Sequence, residues 1–501
     1  MEDDVHLSFW KCGSPKPLSN LFIDLGSVFK RDAIGLEIFE IAFPASLALA
    51  ADPFASLIDT AFVGHLGAVN LAAVGVAIAV FNQVSKIAIF PVVSVTTSLV
   101  AEEDATASES SKEQELEAGS QDKTETEQFL PKPDPAQISN SSEKQQKRHI
   151  PSASSALVVG CILGLIQALL LIAAAKPVLN FMGISSDSPM LMAAHRYLVL
   201  RSLGAPAVLL SLATQGIFRG IKDTRTPLYA TVVGDAANIV LDPIFIFVFG
   251  LGVGGAAIAH VLSQYLISFL LLWRLRNRVE LLPPSIWNLH FDKFLKSGLL
   301  LLMRVIAATF VVTLAASLAA RHGSTSMAAF QVCLQIWMAS SLVADGLAVA
   351  AQAILASAFA RKDFDKARAT ASRVLHIALV LGLFLCAILL FVLPFASKLF
   401  TTDILVLQLI GVGIPFVAAT QPINVLAFVF DGLNYGGSDF AYAAYSMILV
   451  SIVSILCLVT LSSTNAFIGI WLSLSIFMSL RAIAGFLRIG TGMGPWSFLK
   501  S

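Results

Sequence analysis

Residues 62–75 read FVGHLGAVNLAAVG, and residues 318–331 read LAARHGSTSMAAFQ. Each stretch leaves a long apolar segment, turns at a glycine, and enters the next apolar segment through a pair of alanines. We interpret them as the same turn in two copies of one structural unit. A repeat of this kind predicts a chain built from two similarly folded halves.

The sequence around these turns is more apolar than a water-soluble protein requires. Hydrophobic residues make up 56% of its 501 residues and charged residues 13%, and the mean hydropathy is +0.79. A helix needs about 20 apolar residues to cross a bilayer. Twelve spans of this kind are predicted, at residues 41–63, 69–98, 153–175, 190–214, 226–249, 252–274, 296–319, 326–358, 373–396, 404–430, 440–461 and 466–488. The sequence therefore predicts an all-α polytopic membrane protein.

Lysine and arginine lie mainly in alternate loops between the spans, on the side of Lys30 and Arg31. Loops rich in these residues stay in the cytoplasm. We therefore expect both termini to be cytoplasmic, and we find no cleavable signal peptide pattern. The basic residues at the start of span four, including Arg201, are interpreted as interfacial.

The position of the repeat predicts the domain organisation. Each half contains six spans, so the second half enters the membrane in the same orientation as the first. This predicts two six-helix bundles related by a pseudo-twofold axis along the membrane normal, with a cavity between them. The predicted bundles are residues 41–275 and 276–490, preceded by a cytoplasmic segment with an interfacial helix (1–40) and followed by a tail (491–501).

Residues 101–151 differ in composition from the rest of the chain, being rich in acidic residues, serine and glutamine. Such a segment buries too little apolar surface to fold by itself, so we predict a disordered cytoplasmic loop between spans two and three. The distance from Gly67 to Gly220 exceeds that from Gly323 to Gly432 by 44 residues, close to the length of this loop. The loop is therefore interpreted as an insertion into one copy of the repeat.

Acidic residues also lie inside the apolar spans. Span one carries Asp52 and Asp59, and span five carries Asp235, Asn238 and Asp242, each set on one face of its helix. An ionisable group at the bilayer centre costs at least about 2.5 kcal/mol, so each requires a partner or a function. A proline follows Asp242 directly and favours a kink there. Because burial disfavours the charged form of a carboxyl group, Asp242 is a candidate proton carrier. The alternative for each acid is an interhelical hydrogen bond without a transport role.

Basic and amide side chains inside the spans point to an anionic substrate. Span two offers Gln83 and Lys86, span seven offers Arg304, and span eight offers Gln331 and Gln335. Arginine binds carboxylates through a bidentate fork. We predict that Lys86 and Arg304 hold one anion from opposite sides of the cavity, assisted by the three glutamines. Alternatively, Lys86 is neutralised by Asp52 or Asp235 of its own bundle, and Arg304 pairs with Asp345 or reaches the cytosolic interface.

Four segments make the sequence resemble the multidrug and toxic compound extrusion (MATE) transporters from about Phe43 to Arg488. They are LIDTAFVGHLG (57–67), FRGIKDTRTPLY (218–229), NIVLDPIF (238–245) and GLGVGGAAIAHVLSQY (250–265). The resemblance implies that Asp59, Asn238 and Asp242 form a proton or cation site in the first bundle. The next helix of the family often adds a hydroxyl group, and here His260 stands in a similar place.

Within that family the sequence most resembles the plant citrate-efflux branch, often called ferric-reductase-defective-like. The resemblance rests on the acidic loop and on FNQVSKIAIFPVVSVTTSLVAEED (81–104) and MAAFQVCLQIWMASSLVADGLAVAAQAILAS (327–357). It implies proton-coupled export of citrate or a related organic anion across the plasma membrane, serving iron translocation or aluminium tolerance. The alternatives are an exporter of organic cations or alkaloids with the same fold, an anion channel, and a flippase for lipid-linked precursors.

No nucleophile triad, phosphate-binding loop or metal-ligand cluster stands out in the sequence, and the spacing of the five cysteines suggests neither disulfides nor a metal site. We therefore expect no enzymatic activity, no cofactor, no bound metal and no nucleic-acid partner. The expected partners are an organic anion, protons and the lipid bilayer, with the chain acting as a monomer.

Overall fold

The computed structural model of the chain describes residues 32–125, 148–182, 184, 187–280, 291–400 and 403–500. Its helices are α1 Ala33–Gly64, α2 Ala68–Glu125, α3 Pro151–Ala173, α4 Ala175–Phe181, α5 Met190–Ser202, α6 Ala205–Gly220, α7 Arg225–Pro243, α8 Val253–Arg278, α9 Phe291–Arg321, α10 Ser324–Ala360, α11 Phe364–Phe400, α12 Ile404–Ala419, α13 Gln421–Gly436 and α14 Phe440–Gly490. A π-helical turn, Ile244–Val248, follows α7, and a 3₁₀ helix, Gly494–Lys500, follows α14. Two short strands, β1 Arg148–His149 and β2 Val279–Glu280, pair in parallel.

These helices make twelve spans. Among the described residues, nine helices are long and apolar enough to cross a membrane. The pairs α5 with α6 and α12 with α13 add two spans, bent by 46° and 47°, because a proline opens the second helix of each pair. The helix α14 is non-helical at Asn465 and Ala466, so its 51 residues cross twice. The predicted all-α fold with twelve spans is confirmed.

The acidic loop is more ordered than predicted. We expected residues 101–151 to be disordered, but α2 continues as a helix to Glu125. Alanine, glutamate, lysine and glutamine dominate this stretch, and all four have high helix propensity. The helix is also tied to α3, since Glu103 Oε2 accepts a hydrogen bond of 2.9 Å from Ser152 N. Residues 126–147 of the predicted loop lie outside the described residues, and residues 148–151 form β1 and the start of α3.

Both ends of the chain also differ from the predicted boundaries. The first span begins at Ala33 rather than at residue 41, because Asp32 caps α1 by accepting a hydrogen bond from Gly35 N at 2.9 Å. The predicted interfacial helix lies in residues 1–31, outside the described residues. The C-terminal tail is packed, since Trp496 is fully buried.

The structure shows the same turn at the ends of α6 and α13, which hold equivalent positions in the two halves of the repeat. Lys222 and Ser438 both adopt positive φ angles, 64° and 53°. The next amide bonds back to a carbonyl in each copy, from Asp223 N to Phe218 O at 2.8 Å and from Asp439 N to Asn434 O at 2.9 Å. The residues matched by this turn are 216 positions apart in the chain. Alignment of the segments FRG (218–220) and FDG (430–432) would instead give a separation four residues shorter. The two halves therefore contain the same helix-terminating turn.

The bundles separate at one end of the molecule, where the turns of residues 62–75 and 318–331 lie. One apolar cluster at this end belongs wholly to the first bundle and includes Val63 and Phe81. Another belongs wholly to the second bundle and includes Phe330 and Trp471. Since neither cluster crosses between the bundles, we call this the open end.

At the opposite end, which we call the closed end, the bundles share their cores. Ile38 and Ile41 of α1 pack with Leu347 and Ala351 of α10. The helices α2 and α9 form a second shared cluster, which includes Val92, Val95, Phe294 and Leu301. The contacts of α1 with α10 and of α2 with α9 are those that a pseudo-twofold axis would exchange.

Polar contacts also join the bundles near the closed end. Gln352 Nε2 of α10 donates to Ser94 O at 2.7 Å and to Ser98 Oγ at 2.8 Å, both on α2. Ser98 Oγ in turn donates to Tyr435 O of α13 at 2.8 Å. Two bundles joined at one end and separated at the other fit alternating access to a central cavity.

Candidate functional site

Asp59, Asn238 and Asp242 meet inside the first bundle, as predicted. Asn238 Nδ2 donates to Asp59 Oδ1 at 2.6 Å, and the carboxyl group of Asp242 is close enough to that of Asp59 to interact with it electrostatically. Both carboxyl oxygens of Asp242 are buried and make no hydrogen bond with the described residues. Asn238 and Asp242 are 2% and 1% exposed. Two neighbouring buried carboxylates repel each other, so the uncharged form of one of them is favoured. The pair can therefore hold and release a proton.

The hydroxyl group at this site comes from Ser263 of α8. Its Oγ lies 3.3 Å from Asn238 Oδ1 and 2.7 Å from His260 O. His260, our candidate for this position, contributes its backbone carbonyl, and its ring makes no hydrogen bond or ion pair with the described residues. Sequence reasoning chose a titratable residue and overlooked a serine one helical turn further on. Ala256, Ala259 and Ser263 mark a face of small buried residues in α8 that could have revealed it.

Arg201 is the buried cation of this site, and the interfacial position predicted for it is wrong. It is 8% exposed, its Nη1 donates to Tyr197 Oη at 2.9 Å, and its guanidinium lies 5.1 Å from the centre of the Phe81 ring. It is close enough to Asp59 and Asp242 to interact electrostatically with both. The apolar residues on either side of Arg201 were the available signal, because an interfacial arginine would usually border a polar loop.

The predicted glutamines face the gap between the bundles. Gln83 lies 11 residues, or three turns of α2, before Ser94. Ser94 contacts the second bundle. Gln335 likewise lies 11 residues of α10 before Gly346. Gly346 packs against Ser46 of the first bundle. Both glutamines are exposed, as is Gln331. Residues three turns apart share a helix face, so this face looks onto the gap wherever the bundles separate.

Lys86 lies one turn from Gln83 on the same side of α2. It is exposed, and it makes no ion pair with any described residue. The alternative in which Lys86 is neutralised by Asp52 or Asp235 is therefore not observed. An unpaired ammonium beside exposed amides suits a negatively charged ligand.

Arg304 does not lie opposite Lys86 as a free cation. It is 8% exposed and forms an ion pair with Asp431 of α13. Arg481 of α14 binds the same carboxylate oxygen, with Nη2 2.6 Å from Asp431 Oδ2. Sequence reasoning considered Asp345 as the partner of Arg304 and missed both Asp431 and Arg481. Both charges were visible in the sequence, since Arg481 lies inside the predicted span 466–488 and Asp431 directly follows the predicted span 404–430.

Asp345 lies between the bundles instead. It interacts electrostatically with Arg219 of the first bundle and with Arg481 of the second. Arg219 is 8% exposed, although it stands near the end of α6. The buried charges of this region are therefore three arginines and two aspartates.

Within the described parts of the chain, no group of three or more histidine, cysteine or acidic residues is arranged to hold a metal ion. The aspartate pair offers carboxyl groups that can exchange a proton, and the arginines and Lys86 offer cationic groups that can bind an anion.

Comparison with known proteins places the chain in a family. The family profile MatE matches residues 140–244 and 301–460. The chain is 62% identical to Protein DETOXIFICATION 42 of Arabidopsis thaliana, with 97% of each chain covered. It is 56% identical to Protein DETOXIFICATION 43 of the same plant, with 97% of this chain and 96% of that protein covered. The solved structure "Crystal structure of MATE in the bent conformation" matches with a TM-score of 0.78 at 21% identity, covering 95% of this chain and 98% of that one. That match supports the fold of twelve helices in two bundles. The chain belongs to the MATE family of multi-pass secondary transporters.

Proposed function

We propose that this transporter exports citrate or a related organic anion from the cytosol by proton-coupled alternating access. The observation that supports an anionic substrate is the exposed, unpaired ammonium group of Lys86 beside Gln83. An exporter of organic cations needs carboxylates at this position, because a cationic substrate is repelled by an ammonium group. Gln331 and Gln335 add amide donors for carboxylate oxygens from the opposite wall.

The distribution of basic loops supports an orientation. Arg219, Lys222 and Arg225 lie at the closed end, as do Arg361 and Lys366. By the positive-inside rule this end faces the cytoplasm. Both termini are then cytoplasmic, and the structure represents an outward-open state.

The membrane potential favours export of a multiply charged anion. Moving one charge through 100 mV is worth about 2.3 kcal/mol, so a trivalent anion leaving an inside-negative cell gains about 7 kcal/mol per 100 mV. Protons at Asp59 and Asp242 then set the direction of the cycle. Protons from outside load this pair and favour release of the anion, and the empty carrier turns inward as they leave to the cytosol.

The proposed cellular role comes from the resemblance to the plant citrate-efflux branch. A chain that releases citrate outside a plant cell acts at the plasma membrane, where citrate can chelate iron for translocation or bind aluminium at the root. One chain supplies both walls of the cavity, so a monomer suffices.

The test compares two substrates in the same cells. Labelled citrate and a labelled organic cation are loaded into cells expressing the wild type, Lys86→Ala or Lys176→Ala at matched surface levels. Lys176 is also exposed but lies in α4 at the open end. We expect citrate efflux from the wild type and from Lys176→Ala, with at least a fivefold loss in Lys86→Ala. Efflux of the cation alone would refute the proposal. Currents far larger than the flux of labelled citrate would indicate an anion channel instead.

A further inference from the structure

The buried arginine cluster of the second bundle has the composition of an anion site. Arg304 and Arg481 converge on the carboxylate of Asp431. Their guanidinium groups are fixed by aromatic rings, Arg304 at 5.3 Å from the ring centre of Tyr435 and Arg481 at 5.0 Å from that of Phe428. Two guanidinium groups held in place around one carboxylate form a ready carboxylate receptor.

This receptor has more donor capacity than Asp431 uses. Arg304 Nε and Arg481 Nε are buried and have no hydrogen-bond partner. With Arg219 and Asp345, the region holds three arginines and two aspartates, and so carries one excess positive charge. A buried excess charge without a partner is costly, and an anion would remove that cost.

The cavity beside the carboxylate of Asp431 is small. A cavity of about 10 Å³ adjoins Asp431, Asn434 and Arg481, which is the space of one water molecule. Asn434 Oδ1 has no hydrogen-bond partner there. The carboxylate of Asp431 thus occupies the position that a ligand carboxylate would take.

From this geometry we infer that Arg304 and Arg481 bind one carboxylate of the transported anion, and that Asp431 displaces it in the outward-open state. The inference rests on the proposed export of an organic anion and adds three residues, Arg304, Arg481 and Asp431, to that function. Asp431 acts as an internal competitor. By taking both arginines when the carrier is open to the outside, it weakens binding there and promotes release.

The chain contains a matched control pair. Arg488 Nε lies 2.6 Å from Asp439 Oδ2, and Arg488 stands on α14 seven residues after Arg481. Its side chain is 19% exposed and that of Asp439 is 10% exposed, close to the 10% and 19% of Arg481 and Asp431. Breaking this pair reports the general cost of losing a buried ion pair of the same type.

The experiment measures how strongly external citrate inhibits efflux of labelled citrate from proteoliposomes containing the full chain. Asp431→Asn should be half-inhibited at about a tenfold lower external concentration than the wild type, because the competing charge is gone. Asp439→Asn should behave as the wild type does. If Asp431→Asn transports citrate with unchanged sensitivity to external citrate, the inference is overturned while citrate export stands. If the wild type moves no carboxylate, the proposed function fails and the inference fails with it.

A second variant covers the case in which Asp431→Asn does not fold. Arg481→Gln removes one guanidinium group from the receptor, so the internal citrate concentration for half-maximal efflux should rise about tenfold. Arg488→Gln should leave it unchanged. An unchanged internal half-maximal concentration in folded Arg481→Gln overturns the inference.

Discussion

Glu37 links the two bundles at the closed end. Replacing it with a neutral residue should shift the equilibrium between the state in which the closed end is joined and the state in which it is separated. Its carboxylate lies 2.7 Å from Lys222 Nζ of the first bundle and 2.9 Å from Lys366 Nζ of the second. Only the contact with Lys366 crosses between bundles. Both side chains of that contact remain partly exposed, at 26% and 34%, so the contact is worth about 0.5 to 1 kcal/mol. In Glu37→Gln, repulsion between the two lysines adds a few tenths of a kcal/mol. A total of about 1 kcal/mol corresponds to roughly a fivefold change in the ratio of the two states.

The ratio can be measured as a distance distribution. Spin labels are placed at Asn277 and Asp365, which are exposed near the closed end of the first and second bundles, in a background lacking the five native cysteines. Glu37→Gln should raise the population with a separated closed end about fivefold. The control is Glu40→Gln on the same helix, because Glu40 pairs at 3.6 Å with Arg225 of its own bundle and both side chains are more than half exposed. A distribution unchanged in Glu37→Gln, or changed equally in both variants, would refute the reasoning.

Three further outcomes are expected. Ser263→Ala removes the hydroxyl group beside Asn238 and should lower the free energy of unfolding by about 1 kcal/mol, seen as a slightly lower Tm. It should also shift the pH dependence of transport. A pH profile identical to that of the wild type would argue against a role of Ser263 at the proton site. The Gly35 N–H and Arg373 hold the pKa of Asp32 below its ordinary value. The ionised Asp32 therefore stabilises the fold at any pH above the ordinary pKa, and this stabilisation is lost as the pH falls through the lowered pKa. Asp32→Asn should therefore lower the Tm at neutral pH, by an amount that shrinks in acid, whereas a constant difference would contradict this. Trp496→Ala empties a fully buried site and should cost about 3 to 5 kcal/mol, measured as loss of thermal stability in detergent.

The spans and the repeat could be predicted because lipid imposes a simple rule. Every backbone polar group in the membrane must be satisfied within the chain, so long apolar runs become helices. The same rule shows that each polar group at membrane depth needs a partner or a function, but the grouping of Asp59, Asn238 and Asp242 into one site came from the resemblance to the MATE family. The extension of α2 to Glu125 was missed because composition reports burial capacity and not local helix propensity, which is high in this segment.

The partners of the charged residues could not be predicted from a single sequence. Arg304 pairs with Asp431, which lies 127 positions later in the chain, and helix periodicity alone does not say which of several buried acids a cation meets. Arg201 was judged by its position near the start of a predicted span, whereas the structure buries it beside Tyr197 and Phe81. In each case, tertiary packing decided the pairing.

The most direct test of the account is the rate of labelled citrate efflux from proteoliposomes at several external pH values, for the wild type and Asp242→Asn. Under an inside-negative potential, we predict that wild-type efflux increases as the external solution is acidified, because external protons load the carboxyl pair of Asp59 and Asp242 and favour release of the anion. In Asp242→Asn the amide keeps the shape of the side chain but cannot exchange a proton, so efflux should be slower and nearly independent of pH. Wild-type efflux that does not respond to external pH, or Asp242→Asn efflux equal to the wild type at equal protein amounts, would contradict proton-coupled anion export.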